Sequence, residues 1–204
     1  MRRTFLLPTM LTLVMGSCAH AQVVKKKNLL ISLGGGASYG TLASTRAAYS
    51  AKDAWGGNIT FGFAYAFNAN WGLGIRYDRL GYTSSYDTLA QARASLVHLH
   101  GTYRPWQTDV HALEIETGIG ASLISMRGRY ERIPAEASAY ALNVSVRYLR
   151  TLRGSIVAFL ALRGSTVGTA ALHRGEEEIT TAEGRAAEIG GRACWFNAGL
   201  AVRW

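Results

Sequence analysis

The stretch WGGNITFGFAYAFNANWGLGIRY, residues 55–77, decides the fold. From Trp55 onward every second residue is apolar, aromatic or glycine (Trp55, Gly57, Ile59, Phe61, Phe63, Tyr65, Phe67), and the residues between them are small or polar. Asn68-Ala69-Asn70 interrupts, and the alternation resumes at Trp71, Leu73, Ile75 and Tyr77. Period two on both sides of a short Asn-flanked turn predicts a β-hairpin, because successive strand side chains point to opposite faces. In a small soluble sheet the apolar face is the core. Here that face carries two Trp with several Phe and Tyr, and the opposite face carries glycines with Arg76 and Asp78. The pattern predicts a hairpin whose greasy side meets lipid and whose quiet side meets an interior.

Working outward, the chain has 204 residues, enough for one domain. Its 49% apolar content and near-zero mean hydropathy exclude a disordered chain. No run of about 18 apolar residues is present, so no transmembrane helix is expected. Arg2-Arg3, an apolar stretch Phe5–Val14 and Ala19-His20-Ala21 have the layout of a secretory signal peptide, placed at 1–21. The mature domain then spans 22–204, and loss of Arg2 and Arg3 lowers the net charge from +9 to +7. Cys194 is left as its only cysteine, so no disulfide framework is expected. Leu13–Cys18 loosely matches a bacterial lipobox, which leaves lipidation of Cys18 open.

The same alternation predicts strands at Asn28–Tyr39, on both sides of Pro105–Asp109, at Ala139–Tyr148, at Ser155–Ser165 and at Trp195–Trp204. Residues 41–54, 81–94, 126–138 and 166–191 read as long polar loops, the last holding Glu176-Glu177-Glu178. Folding about Gln107 is expected to set His98 opposite Glu116 and His100 opposite Glu114. The total is about eight strands of roughly 10–12 residues, with short turns alternating with long loops, the asymmetry of a closed antiparallel up-and-down transmembrane β-barrel. Aromatic girdles are expected at Phe67, Trp71, Tyr103, Trp106, Tyr148 and Trp204 on the turn side, and at Tyr39, Trp55, Tyr77, Tyr82 and Tyr140 on the loop side.

The leader, the alternating strands and a terminal Trp204 preceded by Val202, Leu200, Ala198 and Phe196 resemble the small eight-stranded outer-membrane barrels of the OmpA/OmpX type. The resemblance spans Asn28–Trp204 and is one of pattern. It implies a bacterial outer-membrane location after cleavage near Ala21. It also implies that the barrel assembly machinery reads Phe196, Leu200, Val202 and Trp204, and that the protein works as a monomer among membrane lipid and lipopolysaccharide.

The inward face gathers Arg76, Asp78, His98, His100, Arg104, Glu114, Glu116, Arg147 and Arg163, with Asn58, Thr60, Asn143, Asn197 and Arg203 beside them. An eight-stranded barrel is only wide enough for side chains to fill it, and enclosed charges must be paired. The set therefore reads as a structural network with no cofactor. A narrow ion- or proton-conducting lumen is the alternative. The two His beside two Glu do not suffice for metal, since no third His or Cys shares their face. A lipid A-modifying barrel enzyme is a further alternative, with His173 or Ser84 as loop candidates; no catalytic residue is assigned. Gly36–Gly40 matches the G-x-S-x-G elbow but lacks the strand–turn–helix setting it requires. Asn58 and Asn143 match glycosylation acceptors within predicted strands and are set aside. Arg127, Arg129 and Arg132 on the third loop are candidates for anionic headgroups. No basic run with interleaved aromatics suggests nucleic acid. The function read from the sequence is a structural, adhesive or loop-mediated interaction role without catalysis.

Overall fold

A computed structural model describes residues 28–45, 50–82, 89–128 and 132–204. The expected signal peptide, Cys18, Ser84 and Arg129 lie outside the described residues. Eight long strands form the wall: β1 (Asn28–Ser44), β2 (Ala51–Ala66), β3 (Trp71–Tyr82), β4 (Leu89–Gln107), β5 (His111–Gly128), β6 (Ala135–Arg153), β7 (Ile156–Ala171) and β10 (Glu188–Arg203). Two short strands, β8 (His173–Arg174) and β9 (Glu177–Glu178), fold onto β6. Each long strand pairs antiparallel with its neighbours, and β10 returns to β1, so the sheet closes. Closure leaves no sheet edge unpaired, which is what permits a β structure to cross a bilayer.

The opening hairpin has the expected register, with Phe61, Phe63 and Tyr65 of β2 opposite Tyr77, Ile75 and Leu73 of β3. Its turn is tied by Asn68, whose Oδ1 accepts from the backbone N–H groups of Asn70 and Trp71 at 2.9 and 2.8 Å. The alternation separates the two faces sharply: Leu162 is 61% exposed and the adjacent Arg163 only 2%. Leu33, Ile59, Phe63, Leu73, Ile75, Leu99, Ile119, Leu142 and Leu200 all stand on the exposed outer face. A continuous apolar belt of this extent is incompatible with water and matches the outer band of a membrane barrel.

Three expectations are corrected. The β4–β5 register is displaced, placing His98 opposite Gly120, His100 opposite Gly118 and Thr102 opposite Glu116. The turn lies further along than Gln107 because Thr108 builds it. Its N–H donates to the His111 carbonyl at 2.6 Å, and its hydroxyl accepts from the His111 and Val110 N–H groups at 3.0 and 3.3 Å. A bulge between Tyr103 and Trp106 takes in Pro105, which has no N–H to give to a ladder. The displacement is even, so every side chain keeps its face. Secondly, most of the four expected long loops continue as strand. β1 runs to Ser44, β4 begins at Leu89, β6 begins at Ala135 and β10 begins at Glu188.

Strands of 12 to 19 residues exceed the roughly 9–11 needed to span a bilayer, and the excess lies on the loop side. The outer face changes character there: polar Arg79, Ser95, Ser125 and Ser138 follow directly beyond Tyr77, Val97, Leu123 and Tyr140. Inside, the loop half is filled by an apolar cluster that includes Leu42, Leu80, Leu96, Ile124, Met126, Ile189 and Trp195. Tyr82 belongs to that cluster and faces inward, not in the loop-side girdle, because it shares the parity of Asp78 and Leu80. Leu172 and Ile179, flanking β8 and β9, close the cluster from above, held by Ile179 N–H donating to Leu172 O at 2.8 Å. A second apolar layer, with Leu30, Leu149, Val157 and Phe159, fills the turn end.

Candidate functional site

Between the two apolar layers lies a buried polar band drawn from every long strand. Its charges form one alternating chain. Arg104 Nε donates to Glu114 Oε1 at 2.6 Å, and Arg147 Nε donates to Glu114 Oε2 at 2.6 Å. Arg147 Nη2 also lies 3.2 Å from Glu116 Oε1, and Glu116 Oε2 receives Arg76 Nη1. Arg76 Nε then donates to Asp78 Oδ2 at 2.7 Å, whose other oxygen receives Arg163 Nη1 at 3.2 Å. The order Arg104–Glu114–Arg147–Glu116–Arg76–Asp78–Arg163 crosses the lumen from β4 through β5 and β6 to β3 and β7. Each carboxylate is thus shared by two guanidinium groups.

Local geometry explains the arrangement. Gly62 lies opposite Arg76, and a Cβ added there would stand 3.1 Å from Ser32 Oγ and 3.6 Å from Arg76 Cγ. The absent side chain is the space through which Arg76 reaches across to β5 and β6, where its Nη2 also donates to Asn143 Oδ1 at 2.5 Å. Gly74 does the same for His100, whose Nε2 would be 2.7 Å from an added Cβ. Thr60 accepts from Arg163 Nη1 at 2.8 Å, and Ser145 donates to Glu116 Oε2 at 2.6 Å.

His98 and His100 are buried beside this chain rather than in it. His98 Nδ1 is 3.7 Å from Asp78 Oδ2, and His100 Nε2 is 3.9 Å from Glu116 Oε1, both beyond hydrogen-bond range. Among the described residues no three His, Cys, Asp or Glu side chains gather as a metal site requires.

The headgroup candidates separate. Arg127 stands exposed on the outer face near the end of β5, while Arg132 lies in the bend before β6. Phe196, Leu200 and Val202 alternate outward on β10, and Trp204 exchanges backbone hydrogen bonds with Leu29 at 2.9 and 3.2 Å. Arg104, expected on the inward face, anchors one end of the charge chain. Two features escaped the sequence reading. His111 sits in the turn-side girdle between Trp106 and Tyr148, with centroids at 6.5 and 5.7 Å. Arg79 and Arg93 project outward just beyond the apolar belt. Parity in the longer strands was the signal for Arg93, hidden because 81–94 reads as loop.

No family model matches the chain, and no curated protein matches it. Solved structures do. OprG of Pseudomonas aeruginosa superposes with a TM-score of 0.63 at 10% identity, over 91% of this chain and 99% of that one. Neisserial surface protein A gives 0.60 at 12%, over 85% and 96%. A major outer-membrane protein of Thermus thermophilus gives 0.52 at 12%, over 87% and 99%. The chain has the fold of the small eight-stranded outer-membrane barrels.

A fold shared at such identities does not assign chemistry, so catalytic residues in this barrel can be assigned only on geometry. Ser38 of the apparent elbow is buried in the wall, its hydroxyl donating to the Gly57 and Gly81 carbonyls at 3.3 and 3.4 Å. Asn58 and Asn143 are buried in the lumen. His173 pairs with Glu136 on the rim, and Ser138 follows on the same face of β6. Hydrogen bonds of the kind that activate a nucleophile do not join these three side chains in the structure.

Proposed function

We propose that this protein is a monomeric outer-membrane scaffold with a sealed lumen, which displays its rim and loops on the cell surface and catalyses no reaction. The observation that carries this reading is the filled interior. A seven-membered ion chain occupies the middle of the barrel, and apolar layers close it above and below. Ions held in such a chain by shared partners are costly to separate, since breaking a buried pair leaves an uncompensated charge. The arginines and carboxylates of the chain are thereby engaged with one another. The strands that rise past the apolar belt lift the rim into the headgroup layer, where membrane lipid and lipopolysaccharide are the partners to hand.

Export after cleavage near Ala21 and recognition of Phe196, Leu200, Val202 and Trp204 by the assembly machinery complete this reading. Planar-bilayer recording of the refolded protein tests it. The expected trace stays at the baseline of the protein-free bilayer. A steady single-channel conductance would replace the scaffold by a channel.

A further inference from the structure

We propose that Arg79 and Arg93, beside the depression over Gly57 and Gly81, form a binding site for the phosphorylated headgroup of a glycolipid in the outer leaflet. The site rests on the outer-membrane reading above and adds to it a ligand class and a place. Arg79 and Arg93 occupy neighbouring strands on one face: Arg79 is opposite Ser95, and Gly81 is opposite Arg93. Diagonal neighbours of this kind lie within reach of long side chains. Both arginines are exposed; Arg79 comes directly above Tyr77 on β3, and Arg93 stands one outward position beyond Ser95, which follows Val97 on β4.

Each arginine of the ion chain has a carboxylate partner, whereas Arg79 and Arg93 make no ion pair among the described residues. Two cations side by side at the edge of a low-dielectric slab repel one another, and an anion between them removes that cost. Phosphate suits the guanidinium fork better than a single-point acceptor does, because it takes two parallel hydrogen bonds. Arg127 continues the basic face onto β5, where Gln91 is its cross-strand neighbour.

The wall beside them is shaped to receive more than a phosphate. Gly57 and Gly81 leave a shallow depression of about 330 Å³, bordered by Gln91 and Arg93. An added Cβ at Gly81 would find its nearest atom, the Gly57 carbonyl oxygen, at 3.8 Å, so the depression is open space and not a packing requirement. A phosphosugar resting there keeps its acyl chains level with the apolar belt below.

The test is binding of bisphosphorylated lipid A, of the same lipid dephosphorylated and of inorganic phosphate to the protein refolded in phosphatidylcholine nanodiscs. Heat-modifiable gel migration first confirms that each variant is folded. Wild type is expected to prefer the phosphorylated lipid by at least about tenfold, and Arg79→Gln/Arg93→Gln to lose that preference. Gly81→Leu, which fills the depression and spares both arginines, should weaken lipid binding severalfold. Arg192→Gln, on the opposite wall, should bind as wild type does. Equal binding of the two lipids, or a double variant that retains the preference, overturns the site. Displacement of the lipid by inorganic phosphate at equal concentration overturns the glycolipid in favour of free anion. Folded, heat-modifiable protein without headgroup preference sinks the site alone. Absence of the protein from the outer-membrane fraction of cells sinks the placement on which it rests.

Discussion

At the scale of single residues, the inner face of the barrel is controlled by what glycine leaves out. Gly62 gives Arg76 its path to Glu116, so Gly62→Phe should prevent folding into vesicles, while Phe63→Leu on the lipid face should cost under about 1.5 kcal/mol. Heat-modifiable migration and urea unfolding measure both, and equal tolerance would mean that the faces are reversed. Glu116→Gln removes the carboxylate shared by Arg76 and Arg147 and leaves excess positive charge in the lumen. A loss of about 3–5 kcal/mol is expected from the urea unfolding midpoint, as for other buried pairs broken on one side. The hairpin 55–77 made Arg76 and Asp78 legible as lumen residues, because strict alternation fixes the face. Arg104 was legible in the same way, on the inward parity just before the Pro105–Asp109 turn; its partner Glu114 was not, because the register of β4 on β5 depends on the turn that Thr108 builds.

At the scale of elements, strand identity was legible and strand length was not. Alternation is visible where lipid-facing residues are large, as in Phe61 and Phe63, and fades where both faces carry small residues. Ala92, Ala94, Ala135 and Ala137 pack inside the barrel against Leu96, Ile124 and Trp195, yet in sequence they look like loop. The same blindness hid Arg93 and assigned Tyr82 to the wrong side. β10 carries a separate claim, that its outward residues and Trp204 serve assembly in the cell. Trp204→Ala should therefore lower the amount of protein recovered in outer-membrane fractions several-fold, while the purified variant refolds into vesicles with nearly wild-type yield. A defect of the same size in both settings would make Trp204 a stability residue only.

At the scale of the whole molecule, two claims of the proposed function stand together: that the aromatic alternate face meets lipid, and that the face behind it encloses a sealed interior. Both rest on closure of eight strands with a fixed in-out parity. Cysteine accessibility in a Cys194→Ser background tests them together, with the protein refolded in lipid vesicles. Nitroxides at positions 61, 63, 65, 73 and 75 should collide with dissolved oxygen far more often than with a water-soluble nickel chelate. Cysteines at Thr60 and Ala64, both buried in the lumen, should resist a water-soluble maleimide until the chain is unfolded. Rapid maleimide labelling at 60 and 64 in the folded protein, or nickel-dominated collisions at 61, 63 and 65, would contradict the account.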